Sequence, residues 1–465
     1  MTDTPRTTTR RGFMRTSVCG AVGLTSVART LFDLRRIAAA APLGQSVNDY
    51  RALVCVFLYG GNDSNNLIVP RGADYNAYSR ARGTLALPQG SLLEISPQGG
   101  DGRQWGLHPR LRRLQSLFQQ ERAALLANVG PLVGPVERRD WLSGSAALPP
   151  QLFSHSDQTV HWQTALPDRP TQSGWGGRAA DLLAASNDNP KISMAISLGG
   201  SNTFQVGNAV TPYQMSSDGG IGLGWYYDGN DWHHPPSIAI RELLAQSYGN
   251  LFASGYRDVF KRGLDQNRFL KEVLDATPDL ATAFPDNNLG AQLRMAARLI
   301  SAREALGLRR QVFFCSADGY DTHGGQVDGQ ATQGSHADLL EELDGALGAF
   351  YAATAELGVA SQVTTFTASD FGRTYSPNED GSDHGWGAHH IILGGAVLGK
   401  RIYGLMPLLQ VDGPDDTEDG RWIPSTSVDE YAATLARWFG VAAGDLPVVL
   451  PNLGRFRSSD LGFMA

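Results

Sequence analysis

Cysteine is scarce in this chain of 465 residues: Cys19, Cys55 and Cys315 are all there is. That count excludes a disulfide framework. Cys55 and Cys315 lie inside the apolar runs "ALVCVFLYG" and "QVFFCS", where a thiol serves as a small buried hydrophobe. Long apolar runs are missing too: beyond the N-terminal leader described below, no stretch reaches the roughly 18 apolar residues of a membrane span. Positive charge is in deficit, with 39 Lys and Arg against 46 Asp and Glu, a net of −7. No basic stripe interleaved with aromatics occurs, so nucleic acid is excluded as the expected partner. Histidine is sparse, ten in all, which makes any clustering of it informative. What is abundant is glycine, 54 residues, above the usual share of about 7%. It signals tight turns and close backbone approaches.

The N-terminus carries paired arginines, Arg10 and Arg11, followed by Gly12, Phe13 and Met14, a moderately apolar segment, and "AAAAP" at Ala38–Pro42. Charged region, apolar region and small-residue cleavage site are the anatomy of an export leader. Thr-Arg-Arg-x-Phe-Met resembles the twin-arginine motif, which carries folded proteins across the bacterial inner membrane. The expectation is a twin-arginine signal peptide over 1–41, a partnership with that export machinery, and a periplasmic or secreted mature protein with no stable membrane span after cleavage. The mature domain runs over 42–465.

Apolar runs rich in β-branched residues mark buried strands. They are "RALVCVFLYGGND" (Arg51–Asp63), "AALLANVG" (Ala123–Gly130), "KISMAISLGG" (Lys191–Gly200), "QVFFCSADGYDTH" (Gln311–His323), "QVTTFTASDFG" (Gln362–Gly372) and "HIILGG" (His390–Gly395). Helical periodicity falls between and after them, at Leu289–Gly307, His336–Gly358 and Ser427–Gly440, the last opening on a Ser cap and an acidic first turn. Strands buried on both faces and alternating with helices predict an α/β fold: a mostly parallel central sheet with helices on both sides. The stretch 201–285 is rich in Gly and aromatics and reads as an insertion, a cap over the site.

In open α/β sheets, sites form beyond the carboxyl ends of strands. Polar residues gather there repeatedly. "YGGNDSNN" places Asp63 just after the first strand, where a carboxylate holds a cation or simply forms a turn. "GYDTHGGQ" sets Asp321 and His323 two apart, on one side of extended backbone. "TASDFGRT" gives Asp370 and Arg373, and "SDHGWGAHH" gives His384, His389 and His390. Imidazole is the commonest zinc ligand. In "LFSHSDQTVHWQTA", Ser154, His155 and Ser156 precede a helix whose N-terminus favours anions, and Ser156 is equally a plain N-cap.

These motifs together, "YGGND", "SHSDQ" leading to "QTA", "GYDTHGGQ", "FTASDFGRT" and "SDHGWGAHHIILGGAV", resemble domain-of-unknown-function family 1501 over about Tyr50 to Gly440. That family consists of exported bacterial proteins placed in the alkaline phosphatase and sulfatase superfamily. The resemblance implies an alkaline phosphatase-like core and a metal site from Asp63, Asp321, His323, Asp370 and His384, with His389 in reserve for His384. The superfamily often spaces the Asp and His three apart, whereas only Thr322 intervenes here. Phe371 stands where superfamily phosphatases usually carry a histidine. His155 falls at the position of the nucleophile, so Ser154, His155 or Ser156 attacks, or the chemistry differs.

The function implied is an exported, metal-dependent hydrolase of small-molecule or glycan phosphate or sulfate esters. Arg373 would hold the anion, and one or two divalent ions, zinc first with calcium, magnesium or manganese open, would clamp the ester. The alternative is an exported binding or assembly protein whose phosphatase-like site is degenerate.

Overall fold

The computed structural model describes residues 49–465 apart from 101, 189, 221–225 and 227–233. The expected leader lies outside the described residues, as do Trp225, Tyr227 and Trp232 of the aromatic insertion. The described residues belong to one compact unit, Asn48–Ala465.

The strands, in chain order, are β1 (Arg51–Leu58), β2 (Ile68–Arg71), β3 (Leu93–Ile95), β4 (Gln104–Leu107), β5 (Ala123–Gly130), β6 (Ala195–Ser197), β7 (Tyr213–Ser216), β8 (Gly219–Gly220), β9 (Arg310–Ala317), β10 (Val363–Ser369), β11 (Ala388–Gly394), β12 (Ile402–Tyr403) and β13 (Thr426–Ser427). Among the described residues, ten of them form one sheet in the order β12-β5-β11-β10-β1-β9-β6-β7-β8, with β13 also on β5. β2, β4 and β3 make a small antiparallel sheet of their own. The large sheet is mostly parallel, as the alternation of strands and helices predicts. β11 is the exception at its centre: it runs antiparallel to both β10 and β5. "KISMAISLGG" yields only the three residues of β6, less than its apolar pattern suggested.

Two helix groups cover the sheet. Helices Arg112–Gln119, Asn288–Ser301 and Ser335–Glu356 pack on one another, and helices His155–Thr164, Trp175–Leu183, Val428–Phe439 and Leu446–Val449 form the second group. The second group explains the aromatic content of one face. Cys55 and Phe57 of β1 lie level with Phe366 and Ala368 of β10, and Trp162, Trp175 and Tyr431 close over them. The Val428–Phe439 helix starts as its sequence predicts. Ser427 accepts from the Glu430 amide, and the Glu430 carboxylate accepts from the Ser427 amide.

Register sets up the functional edge. Leu58, the last residue of β1, pairs with Ser369 of β10 on one side and Ala317 of β9 on the other. Three parallel strands therefore end level, and their loops leave side by side. Gly60 (φ +113°) and Gly61 (φ +86°) make this possible. A Cβ on Gly60 would lie 2.2 Å from the Asp321 amide nitrogen, and one on Gly61 would lie 2.4 Å from the Phe371 ring. Only glycine allows that approach.

The segment 201–285 does not close over this edge in its described part. β7 extends the sheet beside β6, β8 pairs with β7, and the Leu251–Ala276 helix buries only Leu270 and Leu274. Among the described residues, none of this segment lines the cleft at the strand ends.

Candidate metal centre

Four side chains from two loops and one helix converge at that edge. Asp321 and His323 come from the loop after β9, His384 from the loop between β10 and β11, and His155 opens the 155–164 helix. His323 Nε2 and His384 Nε2 lie 2.8 Å apart. Asp321 Oδ1 is 3.2 Å from the first and 3.3 Å from the second. His155 Nε2 is 3.3 Å from Asp321 Oδ2. Ligand atoms of His155, Asp321 and His384 all fall within 4.8 Å of one another.

The outer nitrogens decide what the inner ones offer. His155 Nδ1 is 2.7 Å from Asp370 Oδ2, His323 Nδ1 is 2.9 Å from Asp383 Oδ1, and His384 Nδ1 is 2.7 Å from the Phe153 carbonyl. Carboxylates and carbonyls accept only, so each Nδ1 carries the proton and donates. A ring without a second proton then turns an Nε2 lone pair inward. Two such nitrogens 2.8 Å apart beside a carboxylate oxygen are held together by a shared proton or by a cation. Imidazoles held from behind by carboxylate or carbonyl are the outer shell typical of metal sites. Three nitrogens and one carboxylate suit zinc's tetrahedral preference. The donor set thus fits a divalent ion.

The charges around the site agree. Burial pushes His384 below its ordinary value, with a further push from Arg373, which favours the neutral, ligating form. Burial pushes Asp321 up, but its hydrogen bond from Arg373 and the Arg373 charge outweigh this and hold it ionised. Asp370 goes the other way: burial raises it, and the His155 bond offsets only part.

Several expected residues lie elsewhere or do other work. Asp63 is fully buried and does not join the cluster. Its carboxylate is occupied by Arg82 and by the Gln326 side-chain amide, and it accepts from the Asn65 amide. Asp370 stands behind His155 and is not among the converging atoms. Arg373 is buried behind Asp321 and does not line the cleft. It donates to Asp321 Oδ1 at 2.8 Å and to the carbonyls of Gly60 and Ser382, so it orients a carboxylate where it was expected to hold a substrate anion. His389 sits inside β11, where its Nδ1 accepts from the Asn128 amide. His390 packs edge-on against Trp162. Ser154 is the N-cap residue and Ser156 lies in the first turn, the reverse of the N-cap expected. Ser154 Oγ donates to Asp157 at 2.6 Å, and Ser156 Oγ contacts the same oxygen at 3.3 Å.

Two participants escaped the sequence reading. Asp383 immediately precedes His384 and was counted only as loop acidity; its place beside a histidine was the available signal. His155 was taken for a nucleophile position, yet both ring nitrogens face carboxylates. Phe371 is fully buried, 4.8 Å from the His155 ring and 4.6 Å from the His384 ring, centroid to centroid. It packs against both rings from within the fold. Among the described residues, one group has three or more metal-binding side chains so close.

A family model described as a protein of unknown function, DUF1501, matches residues 50–419. The chain belongs to this family. No curated protein matches it. Solved structures similar to it include the sulfatase PsFucS1 from Pseudoalteromonas sp., at 10% identity over 90% of this chain and 72% of that chain, with a TM-score of 0.34. The phosphonate monoester hydrolase SpPMH from Silicibacter pomeroyi matches at 9% identity over 84% and 73%, TM-score 0.34. Ps i-CgsB in complex with k-i-k-neocarrahexaose matches at 10% identity over 87% and 77%, TM-score 0.35. Among the described residues, no helix is long and apolar enough to cross a membrane.

Proposed function

We propose that this DUF1501 chain is an exported, metal-dependent hydrolase of phosphate or sulfate esters, using one divalent ion, zinc first among candidates. The observation that carries the reading is the inward convergence of three Nε2 lone pairs on Asp321, with every Nδ1 locked from behind. When bound, the ion supplies Lewis-acid stabilisation of charge growing on the ester oxygens. His155, His323, His384 and Asp321 hold it; Asp370, Asp383 and the Phe153 carbonyl fix the rings; Arg373 fixes Asp321.

Of the hydroxyls at the helix N-terminus, Ser156 lines the cleft and is the attacking group in this reading. Asp157, in contact with it, is placed to take its proton. His155 is a ligand, and Ser154 positions Asp157. Export rests on the Arg10–Arg11 leader. It suits a site that must be filled before the folded chain leaves.

Elemental analysis of the mature protein, with a panel of p-nitrophenyl phosphate and sulfate esters, tests this. About one divalent ion per chain is expected, as for a single donor cluster that keeps a position open for the ester. Asp321→Ala and His384→Ala should lose it and with it at least about 10³-fold in kcat/KM. Ser156→Ala should retain the ion and lose turnover. A metal-free protein, or full activity in Asp321→Ala, overturns the reading.

A further inference from the structure

The Leu251–Ala276 helix is 26 residues long, yet it buries only Leu270 and Leu274, near its C-terminal end. Phe252 and Tyr256 lie eighteen positions before them, which is about five helical turns. All four therefore stand on one stripe of the helix. At the C-terminal end that stripe packs into the core, with Phe269 and Val273 beside it. At the N-terminal end it meets solvent: Phe252 is 85% exposed, Tyr256 73% and Val259 60%, and Leu251 next to them is 83% exposed. Large apolar side chains exposed singly are ordinary; a contiguous group of them marks a contact surface.

The charges around the patch choose its occupant. Residues 251–262 carry three cations, Arg257, Lys261 and Arg262, against the single acid Asp258, in a chain whose net charge is −7. Arg257 pairs with Asp258. Lys261 and Arg262 are exposed and pair with no acid among the described residues. At about 100° per residue, Arg257 and Arg262 flank the apolar stripe on opposite sides, and Lys261 stands behind it. A second copy docked on this patch would bring two positive segments together, which opposes self-association. An apolar stripe with basic residues around it is instead the pattern of a helix that lies in a membrane interface. Long basic side chains there reach from the apolar boundary to the headgroups.

We infer that the N-terminal half of this helix is a peripheral docking surface for an anionic lipid membrane. Leu251, Phe252, Tyr256 and Val259 enter the boundary between headgroups and acyl chains, and Arg257, Lys261 and Arg262 meet the lipid phosphates. The helix lies along the surface and does not cross it. The same surface repels the acidic remainder of the chain, which fixes the face of the protein that turns to the membrane. The inference is independent of the hydrolase reading, because vesicle binding is read without turnover.

Flotation of the mature protein with two kinds of vesicle tests it: phosphatidylcholine alone, and an equimolar mixture with phosphatidylglycerol. Binding to the anionic vesicles should be at least about ten-fold tighter, the scale of two basic residues near a charged surface. Lys261→Glu with Arg262→Glu should erase that preference. Phe252→Ser with Tyr256→Ser should weaken binding at least about ten-fold, the scale of large side chains withdrawn from an apolar boundary. All four positions are on the surface or only partly covered, so the unfolding midpoint, measured alongside, should stay in place. No flotation, equal binding to both vesicles, or binding that survives Phe252→Ser with Tyr256→Ser overturns the inference. A protein that ignores vesicles but forms a dimer by light scattering, split by those two substitutions, also overturns it and assigns the patch to a second copy.

Discussion

Two clusters of aspartate, histidine and arginine draw on the same loops. One is the open centre of Asp321, His155, His323 and His384. The other lies within the fold: Asp63, Arg82 and Gln326, with His336 near enough to act on Asp63 electrostatically. In the buried cluster the Asp63 carboxylate and the Gln326 amide are filled, and Arg82 Nε alone among the guanidinium nitrogens is left over. Asp63 Oδ2 takes a guanidinium and an amide, and His336 Nε2 meets Asn62 Oδ1 at 3.1 Å. Gln326 Oε1 takes the hydroxyls of Ser382 and Thr322. In the open cluster the outer atoms are closed and the inner ones face one another. Residue type does not distinguish a structural knot from a site. Leftover bonding capacity at one point in space does.

Four substitutions or titrations probe that contrast. Among the substitutions, the largest effect on stability should come from the knot. Asp63→Ala leaves Arg82 buried without its carboxylate and should cost about 3–5 kcal/mol, read from urea unfolding, with metal content per folded chain unchanged. Metal loss at full stability would instead place Asp63 in the site. Next comes acid. Burial holds His336 and His389 at about 4, below an unfolded value of about 6.5. The unfolded chain then binds more protons between those limits. Stability is fully present above about 6.5 and falls toward 4, by up to roughly 1.4 kcal/mol per pH unit for each histidine. A flat unfolding free energy from pH 7 to 4.5 would show these rings are not buried neutral. A smaller effect belongs to the outer shell. Asp383→Asn should weaken metal affinity by about 10–100-fold, measured by competition with a chelator, while the unfolding midpoint of the metal-free protein barely moves. Smallest is Ser427→Ala, remote from both clusters. It should cost about 1 kcal/mol through the lost helix cap and leave metal affinity alone. A change in affinity there would mean that global stability, not local geometry, governs the site.

Much of the scaffold was readable from pattern alone. "AALLANVG" is β5 residue for residue, and the Ser-x-x-Glu start of the last long helix forms its capping box. Those features rest on local rules: side-chain alternation, apolar runs and a cap three residues from its partner. The antiparallel setting of β11 was not readable, because its run "HIILGG" is apolar on both faces whichever way it points. Asp63 and Asp321 follow neighbouring strands with similar turn chemistry. Each accepts from an arginine, Asp63 from Arg82 and Asp321 from Arg373; full burial and the Gln326 amide close Asp63, whereas Asp321 stays exposed at the cleft.

The sequence by itself determined which strands would end level with polar loops, and that Asp321, His323 and His384 would stand on those loops. Hydrophobic burial fixes the strands, and the glycines after β1 let the loops crowd together. Tertiary structure decided the rest: which carboxylate is sealed inside the fold, which histidine turns its Nε2 inward, and that His155 stands between two carboxylates where a nucleophile was expected. Those outcomes depend on second partners, Asp370, Asp383 and the Phe153 carbonyl, of which Asp370 and the carbonyl lie hundreds of positions from the ring they orient. A one-dimensional pattern places residues at strand ends. A hydrogen bond from behind, made only on folding, sets which way each lone pair faces.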